Sequence, residues 1–329
     1  MRILVLVSAH QHAHDYGIDY LLDGLREHCG ADNVLDWPEK PCLHLAPGAP
    51  RDACTIDSDA WWPSKGDVDI AEWAQRADLV ILGQSLEDPP GNAEANRVLR
   101  DFVPLTTPVL ALDMSDHVRD RRYEYAAVAC RPFLYAKREL PLGADWAIPC
   151  PMTYPASRVP NPMPVKFPRL VYHATHHGEQ PPGVPRKLMV GQILGRPDIP
   201  KTHIDVALYP SQENRPTPEE YHDKMARGLI GLAYNGAPNW DNNRVWESFA
   251  HALCLVSERP RIEIPNPPQH LRHAYWVDSP EEVAPAVAML LKAPGWAAAI
   301  ADAGHKHFLA HHCSQARAAY LLDEVRCRA

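Results

Sequence analysis

Short, unbroken apolar runs separated by helical patterns constrain this chain more than any other feature of its sequence. Residues 3–7, Ile-Leu-Val-Leu-Val, form the first such run. Other runs, mainly apolar, lie at 79–82, 108–112, 170–174, 204–208, 229–234, 253–257 and 274–277. A strand with one wet face alternates apolar and polar residues, whereas an unbroken apolar run suits a parallel strand covered on both faces. Between the runs, residues 18–28, 93–102, 186–194, 218–225 and 243–252 carry helical patterns. Strand–helix–strand succession of this kind predicts doubly wound parallel sheets, an α/β fold. Thr217 stands at the cap position of the fourth helix. Ser279-Pro280-Glu281-Glu282 predicts a further helix start, with Ser279 capping, Pro280 in the first turn and the two acids at the positive end of the dipole. Helical patterns then run to the C-terminus, broken near Pro294 and Ser314.

The rhythm fails twice. Residues 36–67 hold prolines and the Trp61-Trp62 pair without periodicity, which predicts a long inserted loop. Residues 149–168 are rich in proline, which makes a stiff, extended segment and the natural linker. The expected organisation is a Rossmann-like domain over 1–150, a linker over 151–168, a second Rossmann-like domain over 169–312, and a C-terminal helix over 313–329 packing back on the first domain. A chain of 329 residues suits two domains of about 150 residues each. Ligands of such sheets bind at the carboxyl ends of the strands, so the expected site is a cleft between the two domains.

Composition removes several classes. With 46% hydrophobic and 22% charged residues the chain is globular rather than disordered. It has no apolar run of the roughly 18 residues needed to span a bilayer. The apolar start is too short for a signal peptide and lacks a small-residue cleavage site, so a cytoplasmic protein is expected. Eight cysteines occur without a C-x-x-C pair, against zinc-finger and thioredoxin spacing. A net charge of −8 weighs against a nucleic-acid partner, which needs clustered Lys and Arg.

Arg244 and Glu247 are the leading site candidates. Spaced three apart, they share one face of the predicted helix 243–252, which opens at the carboxyl end of a strand. Such a helix start points free N–H groups and a positive dipole at an anion. Arg244 can hold two phosphate oxygens at once, and Glu247 can accept both hydroxyls of a ribose. The competing reading is a surface ion pair of little worth. The loop before the helix adds Tyr234, Asn242 and Asn243, residues that a plain turn would also favour. His176, His177 and Gly178 follow the run at 170–174, and Arg186 with Lys187 opens the next helix.

A second cluster, His10-Gln11-His12-Ala13-His14-Asp15, follows the first strand. His12, His14 and Asp15 are candidates for a general base, with Asp113 and Asp116 as a second set. The same segment also fits a metal-dependent hydrolase in which His10, His12, His14 and Asp15 ligate a divalent ion together with Asp113 or Asp116. A non-catalytic nucleotide- or carbohydrate-binding module is the third reading.

Motif order discriminates among these. Glu220-Tyr221-His222-Asp223-Lys224-Met225 precedes the strand Gly231-Leu232-Ala233-Tyr234. Arg244-Val245-Trp246-Glu247-Ser248-Phe249-Ala250 follows, then Tyr275-Trp276-Val277-Asp278-Ser279-Pro280-Glu281-Glu282, then 303–308 with His312 and Arg317. The order resembles the C-terminal domain of glycosyltransferases related to family 4, in particular the spore-maturation-protein-like branch with its R-x-x-E-x-x-A helix. In the first half, Asp113-Met114-Ser115-Asp116 and Phe133-Leu134-Tyr135-Ala136-Lys137-Arg138-Glu139 resemble that branch more loosely. Asn239 stands where family 4 proper has an acid, and Leu253 where a glycine is common.

The resemblance implies a GT-B fold, two doubly wound Rossmann-like domains facing across a cleft. It implies transfer of a sugar from a nucleotide-sugar donor, a UDP-sugar, to a hydroxyl-bearing acceptor, with no cofactor and no bound metal. It assigns the ribose hydroxyls to Glu247 and brings the loop of His176, His177 and Gly178 near the diphosphate. The Asp57-Ser58-Asp59 and Asp67-Val68-Asp69 tripeptides end no predicted strand, so the metal-binding D-x-D of the GT-A class is not expected. Acceptor identity and stereochemistry stay open. DNA-modifying transferases of phages share the fold, although acidity disfavours a nucleic-acid acceptor.

Overall fold

In a computed structural model the apolar runs become strands of two parallel sheets. It describes residues 1–8, 16–40, 43–44, 68–83, 86, 90–116, 118–175, 186–209, 216–234 and 240–328. The chain divides into two units: Met1–Ser157, Glu263–Pro265 and Ser314–Ala329 form the first, Arg158–Ile262 and Asn266–Cys313 the second.

The first unit contains β1 (Ile3–Leu6), α1 (Tyr16–Cys29), β2 (Val34–Trp37), α2 (Ile70–Gln75), β3 (Leu79–Leu82), α3 (Ala93–Asp101), β4 (Val109–Asp113), α4 (Arg122–Ala129), β5 (Leu134–Lys137) and β6 (Ile148–Pro149). Its strands lie in the order β2-β1-β3-β4-β5-β6, paired in parallel. Successive β1 residues enter different cores, Ile3 and Val5 in one and Leu4 and Leu6 in the other. That is the two-sided burial which an unbroken apolar strand requires.

The second unit contains β7 (Leu170–Thr175), α5 (Arg186–Leu194), β8 (Ile204–Tyr209), α6 (Pro218–Arg227), β9 (Ile230–Leu232), α7 (Asn243–Ala250), β10 (Cys254–Glu258), β11 (Tyr275–Val277), α8 (Val283–Lys292) and α9 (Pro294–His311). Its parallel sheet runs β11-β10-β9-β7-β8. Because β8 lies on one side of β7 and β9 on the other, the winding reverses between β7 and β9. Open sheets of this kind bind ligands outside the carboxyl ends of the strands at such a reversal.

The last helix, α10 (Ser314–Arg328), belongs to the first unit. Ala318, Leu321, Leu322 and Val325 join Ile18, Leu21, Leu22 and Leu25 of α1 in one core. Asp23 accepts a hydrogen bond from the Ser314 hydroxyl at 3.2 Å. The proline-rich stretch is not a solvated spacer throughout: Cys150, Met152 and Tyr154 are buried. The Tyr154 carbonyl accepts from Ser314 N at 3.0 Å.

Several local expectations are refined. Thr217 and Glu220 form a reciprocal capping box at the start of α6. Ser279 makes no side-chain cap; the Glu282 carboxylate accepts from Asp278 N at 2.9 Å, and Pro280–Glu282 is a single 3-10 turn before α8. Strands β2 and β5, four residues each, lie outside the expected runs; they carry Asp36 and, at the end of β5, Lys137. Asp69 caps α2 by accepting from Ala71 N and Glu72 N. The greater part of the expected inserted loop, 45–67, lies outside the described residues. No single helix among the described residues is long and apolar enough to cross a membrane.

At Gly24, α1 and the start of α10 come into close backbone contact. A Cβ there would stand 2.0 Å from the Ser314 carbonyl oxygen. Alanine would gain about 1 kcal/mol in helix propensity. The clash is with backbone, and overpacking costs roughly 1–3 kcal/mol. Gly24→Ala therefore lowers the urea midpoint with an unchanged m value. An unchanged or higher midpoint would show that α10 is not seated on α1 as described.

Candidate functional site

At the reversal in the second sheet, α7 follows β9 and its first turn is fixed from several sides. Asn242 caps the helix, its Oδ1 accepting from Arg244 N at 3.0 Å. Behind the cap, the Trp246 indole donates to buried Asp241 at 2.7 Å, and Trp240 donates to the Glu258 carbonyl at 2.9 Å. The inward face consists of Val245, Trp246, Ser248, Phe249 and Ala250. Helical geometry then leaves Arg244 and Glu247 together on the other face, and both are half-buried. They do not pair with each other. Arg244 Nε donates to the His173 carbonyl on β7 at 3.4 Å, and its guanidinium lies 5.9 Å from the centre of the Tyr172 ring. A side chain launched after β9 thus reaches across to β7, at the point where the winding reverses. Glu247 accepts from the Tyr221 hydroxyl of α6 at 2.9 Å.

Behind these two residues lies a polar relay which the sequence pattern does not reveal. His173 is held at Nδ1 by the Tyr209 hydroxyl at 2.7 Å and at Nε2 by Asp205 at 2.8 Å. Asp205 also accepts from Lys224 of α6, both bonds at 3.1 Å. The His173 hydrogen bond, then Lys224, outweigh burial and hold the Asp205 carboxyl at about 2. An aspartate inside the otherwise apolar 204–208 run was itself a signal, since a charge on a strand needs a partner. Its partners come from β7 and α6 and are not adjacent in sequence.

A pair of stacked imidazoles closes the far end of α7. His222 Nδ1 and His251 Nε2 lie 3.3 Å apart, and His251 Nδ1 donates to the Glu247 carbonyl at 2.9 Å. Burial, then the neighbouring His222, push the His251 pKa down to about 3. An unfolded chain carries a histidine with an ordinary value near 6.5. Between those two values the unfolded chain binds the extra proton, so stability falls as pH drops from about 6.5 towards 3. Denaturant midpoints should decline over that window, and His251→Phe should flatten the decline. An equally steep decline in the variant would assign the proton uptake elsewhere.

The remaining predicted residues fall into three groups. Asn243 starts α7, half-buried, with a buried Oδ1 that has no hydrogen-bond partner among the described residues. Tyr234 is only 5% exposed and is part of the apolar core, where burial raises its pKa. Arg186 is the first residue of α5, and Lys187 beside it is exposed. His10, His12, His14, Asp15, His176, His177 and Gly178 lie outside the described residues. No group of three or more side chains able to hold a metal ion occurs among the described residues.

Asp113 ends β4 with 1% exposure, paired at 2.9 Å with Lys137 of β5, itself 0% exposed. Tyr135 donates to it at 2.6 Å and Ser115 N at 3.0 Å. Burial opposes its charge, but Lys137 and these donors hold its pKa below the ordinary value, while burial lowers that of Lys137. A carboxylate so held is a structural anchor and a weak base. Asp116 is exposed and accepts from Arg138 at 2.5 Å. Asp113→Asn would strand the Lys137 charge and cost about 3–5 kcal/mol, the range for breaking a buried pair. Thermal and urea denaturation test this, and a loss below about 1 kcal/mol would count against a buried charge pair.

Comparisons with known proteins agree with this architecture. Residues 191–323, which include α6, α7 and the strands beside them, match a family described as glycosyl transferase-like. No curated protein matches the chain by sequence. Among solved structures, an alpha-glucosyltransferase in complex with UDP-glucose and DNA containing an abasic site aligns at TM-score 0.60 with 10% identity, over 99% of both chains. HepE from Anabaena in complex with UDP and glucose aligns at TM-score 0.60 with 8% identity, over 99% of this chain and 100% of that one. A glycosyltransferase from Rickettsia africae aligns at 0.61 with 8% identity, over 100% and 99%. The fold, two parallel sheets with flanking helices, is that of the GT-B glycosyltransferases.

Proposed function

We propose that this chain is a glycosyltransferase that moves a sugar from a UDP-sugar to a hydroxyl-bearing acceptor, with Arg244 and Glu247 as the donor anchor. The observation that carries this reading is the placement of both side chains on the open face of α7, at the reversal of the second sheet. A capped helix start supplies oriented N–H groups and positive potential for a diphosphate. Arg244 adds a guanidinium whose planar donors match phosphate oxygens. Glu247 offers a carboxylate to the ribose hydroxyls.

The match of residues 191–323 to a glycosyl transferase-like family supports the reading over the part of the chain that holds this anchor. The likeness of the fold to structures holding UDP or UDP-glucose supports the choice of nucleotide. The spore-maturation-protein-like branch is the subgroup we assign, on the R-x-x-E-x-x-A helix at Arg244, Glu247 and Ala250.

For the acceptor hydroxyl, an inverting transfer requires a base, which we assign to His12, His14 or Asp15. A retaining transfer would rely on the donor phosphate for that step. Charge compensation on the chemistry of the leaving diphosphate falls to Arg244 and the helix start, so the proposed reaction uses no bound metal.

Arg244→Ala and Glu247→Ala should each abolish protection of the protein by UDP against thermal unfolding, while the unliganded melting temperature stays within a few degrees of wild type. Wild-type affinity for UDP in both variants would reject the anchor. Turnover of a UDP-sugar, followed as UDP release, should persist after exhaustive chelation with EDTA. Its complete loss, restored by a divalent ion, would overturn metal independence.

A further inference from the structure

We infer that Tyr221 is a positioning residue for the nucleotide's ribose, acting by holding one oxygen of Glu247 so that the other is presented to the sugar hydroxyls. The inference rests on the donor reading above and adds a residue and a selectivity to it.

Glu247 projects from α7 by a flexible side chain, and fixing such a chain on binding costs rotamer entropy. The Tyr221 hydroxyl, 2.9 Å from Glu247 Oε2, removes part of that cost before the ligand arrives. The donor itself is fixed. The Tyr221 ring packs against Val171, Met225 and Leu253, and its edge meets His173 at 6.4 Å between ring centres. The helix carrying it is held at its start by the Thr217–Glu220 capping box and farther along by Lys224 on Asp205.

The same helix therefore touches both halves of the anchor. Through Tyr221 it holds the Glu247 carboxylate. Through Lys224 and Asp205 it holds His173, whose carbonyl receives Arg244. With Oε2 engaged by a phenol, one carboxylate oxygen remains uncommitted to Tyr221, and a hydrogen bond to a charged group is among the stronger neutral-to-ion contacts. A ribose, with its vicinal hydroxyls, gains from this arrangement. A sugar lacking them does not.

The test uses the full chain, UDP and 2′,3′-dideoxy-UDP, with wild type, Tyr221→Phe, Glu247→Gln and the double variant. Phenylalanine keeps the ring packing, so an unchanged melting temperature without ligand is expected. Tyr221→Phe should weaken UDP binding by up to about tenfold, the cost of ordering one free side chain on binding, and change dideoxy-UDP binding less than about twofold. The double variant should bind UDP no more weakly than Glu247→Gln alone, because the effect passes through Glu247.

Equal weakening of both nucleotides by Tyr221→Phe, or additive losses in the double variant, would show a structural role and overturn the inference. So would a Tyr221→Phe protein that binds UDP like wild type while Glu247→Gln does not. If Glu247→Gln also binds UDP like wild type, the donor reading itself fails and the inference falls with it. Should Tyr221→Phe lower the melting temperature, the ratio of its affinities for UDP and dideoxy-UDP still decides, since partial unfolding weakens both alike.

Discussion

Residue 231 has no room for a side chain, and the candidate site depends on that. A Cβ at Gly231 would meet Ser248 Oγ at 2.7 Å and Leu253 Cδ1 at 2.9 Å. The close approach lets α7 lie directly on β9, so that the residues of its outer face are carried to the strand ends rather than held away from them. Trp246, fully buried, secures the same helix from its other side through Asp241. With backbone and indole both fixed, Arg244 and Glu247 have little freedom except in their own side chains. The polar relay of Asp205, His173 and Tyr209 and the contacts of α6 act on that remaining freedom. Preorganisation of this kind is what allows a binding site to avoid ordering costs when the ligand arrives.

Two-sided burial explains why the chemistry collects where it does. Strands β1, β3 and β4 are covered by apolar side chains from both directions. A charged group within them must bring its own partner, as Asp113 does with Lys137 and Tyr135. Uncommitted polar atoms are tolerated at strand ends and helix starts, where water or a ligand can reach them. Arg244 and Glu247, half-buried on the open face of α7, belong to that margin. Asp113 reaches the end of a strand as well, yet its three donors leave it little capacity to act on anything else.

Much of this was legible in the sequence, for a physical reason that also marks the limit. Continuous apolar runs such as 3–7 report their own environment, because burial on both faces demands them. The spacing of Arg244 and Glu247 reports a shared helix face. Strands β2 and β5, four residues each, escaped; they carry Asp36 and Lys137, and each charge is met by a group elsewhere: His44 and the backbone of Lys40 for the first, Asp113 for the second. The part of Tyr221 escaped similarly. Its motif was visible, but its hydroxyl meets a carboxylate 26 residues later in sequence, a pairing that only the packing of α6 against α7 creates. Ser279 shows the opposite error: a local signal for capping was present, and Glu282 took the role of stabilising the turn by another bond.

The placement of α10 has a consequence for how the protein is made. The first unit begins at Met1 but takes Ala318, Leu321, Leu322 and Val325 into its core from the far end of the chain. During synthesis its first 157 residues emerge well before the helix that completes them. At roughly 5–20 residues per second, the interval is on the order of ten seconds or more. For that time the apolar face of α1 has no native cover, while the second unit, most of it contiguous, can already bury its own core. The unit begun first is completed after the second, so its α1 face must be kept from other apolar surfaces until α10 has emerged.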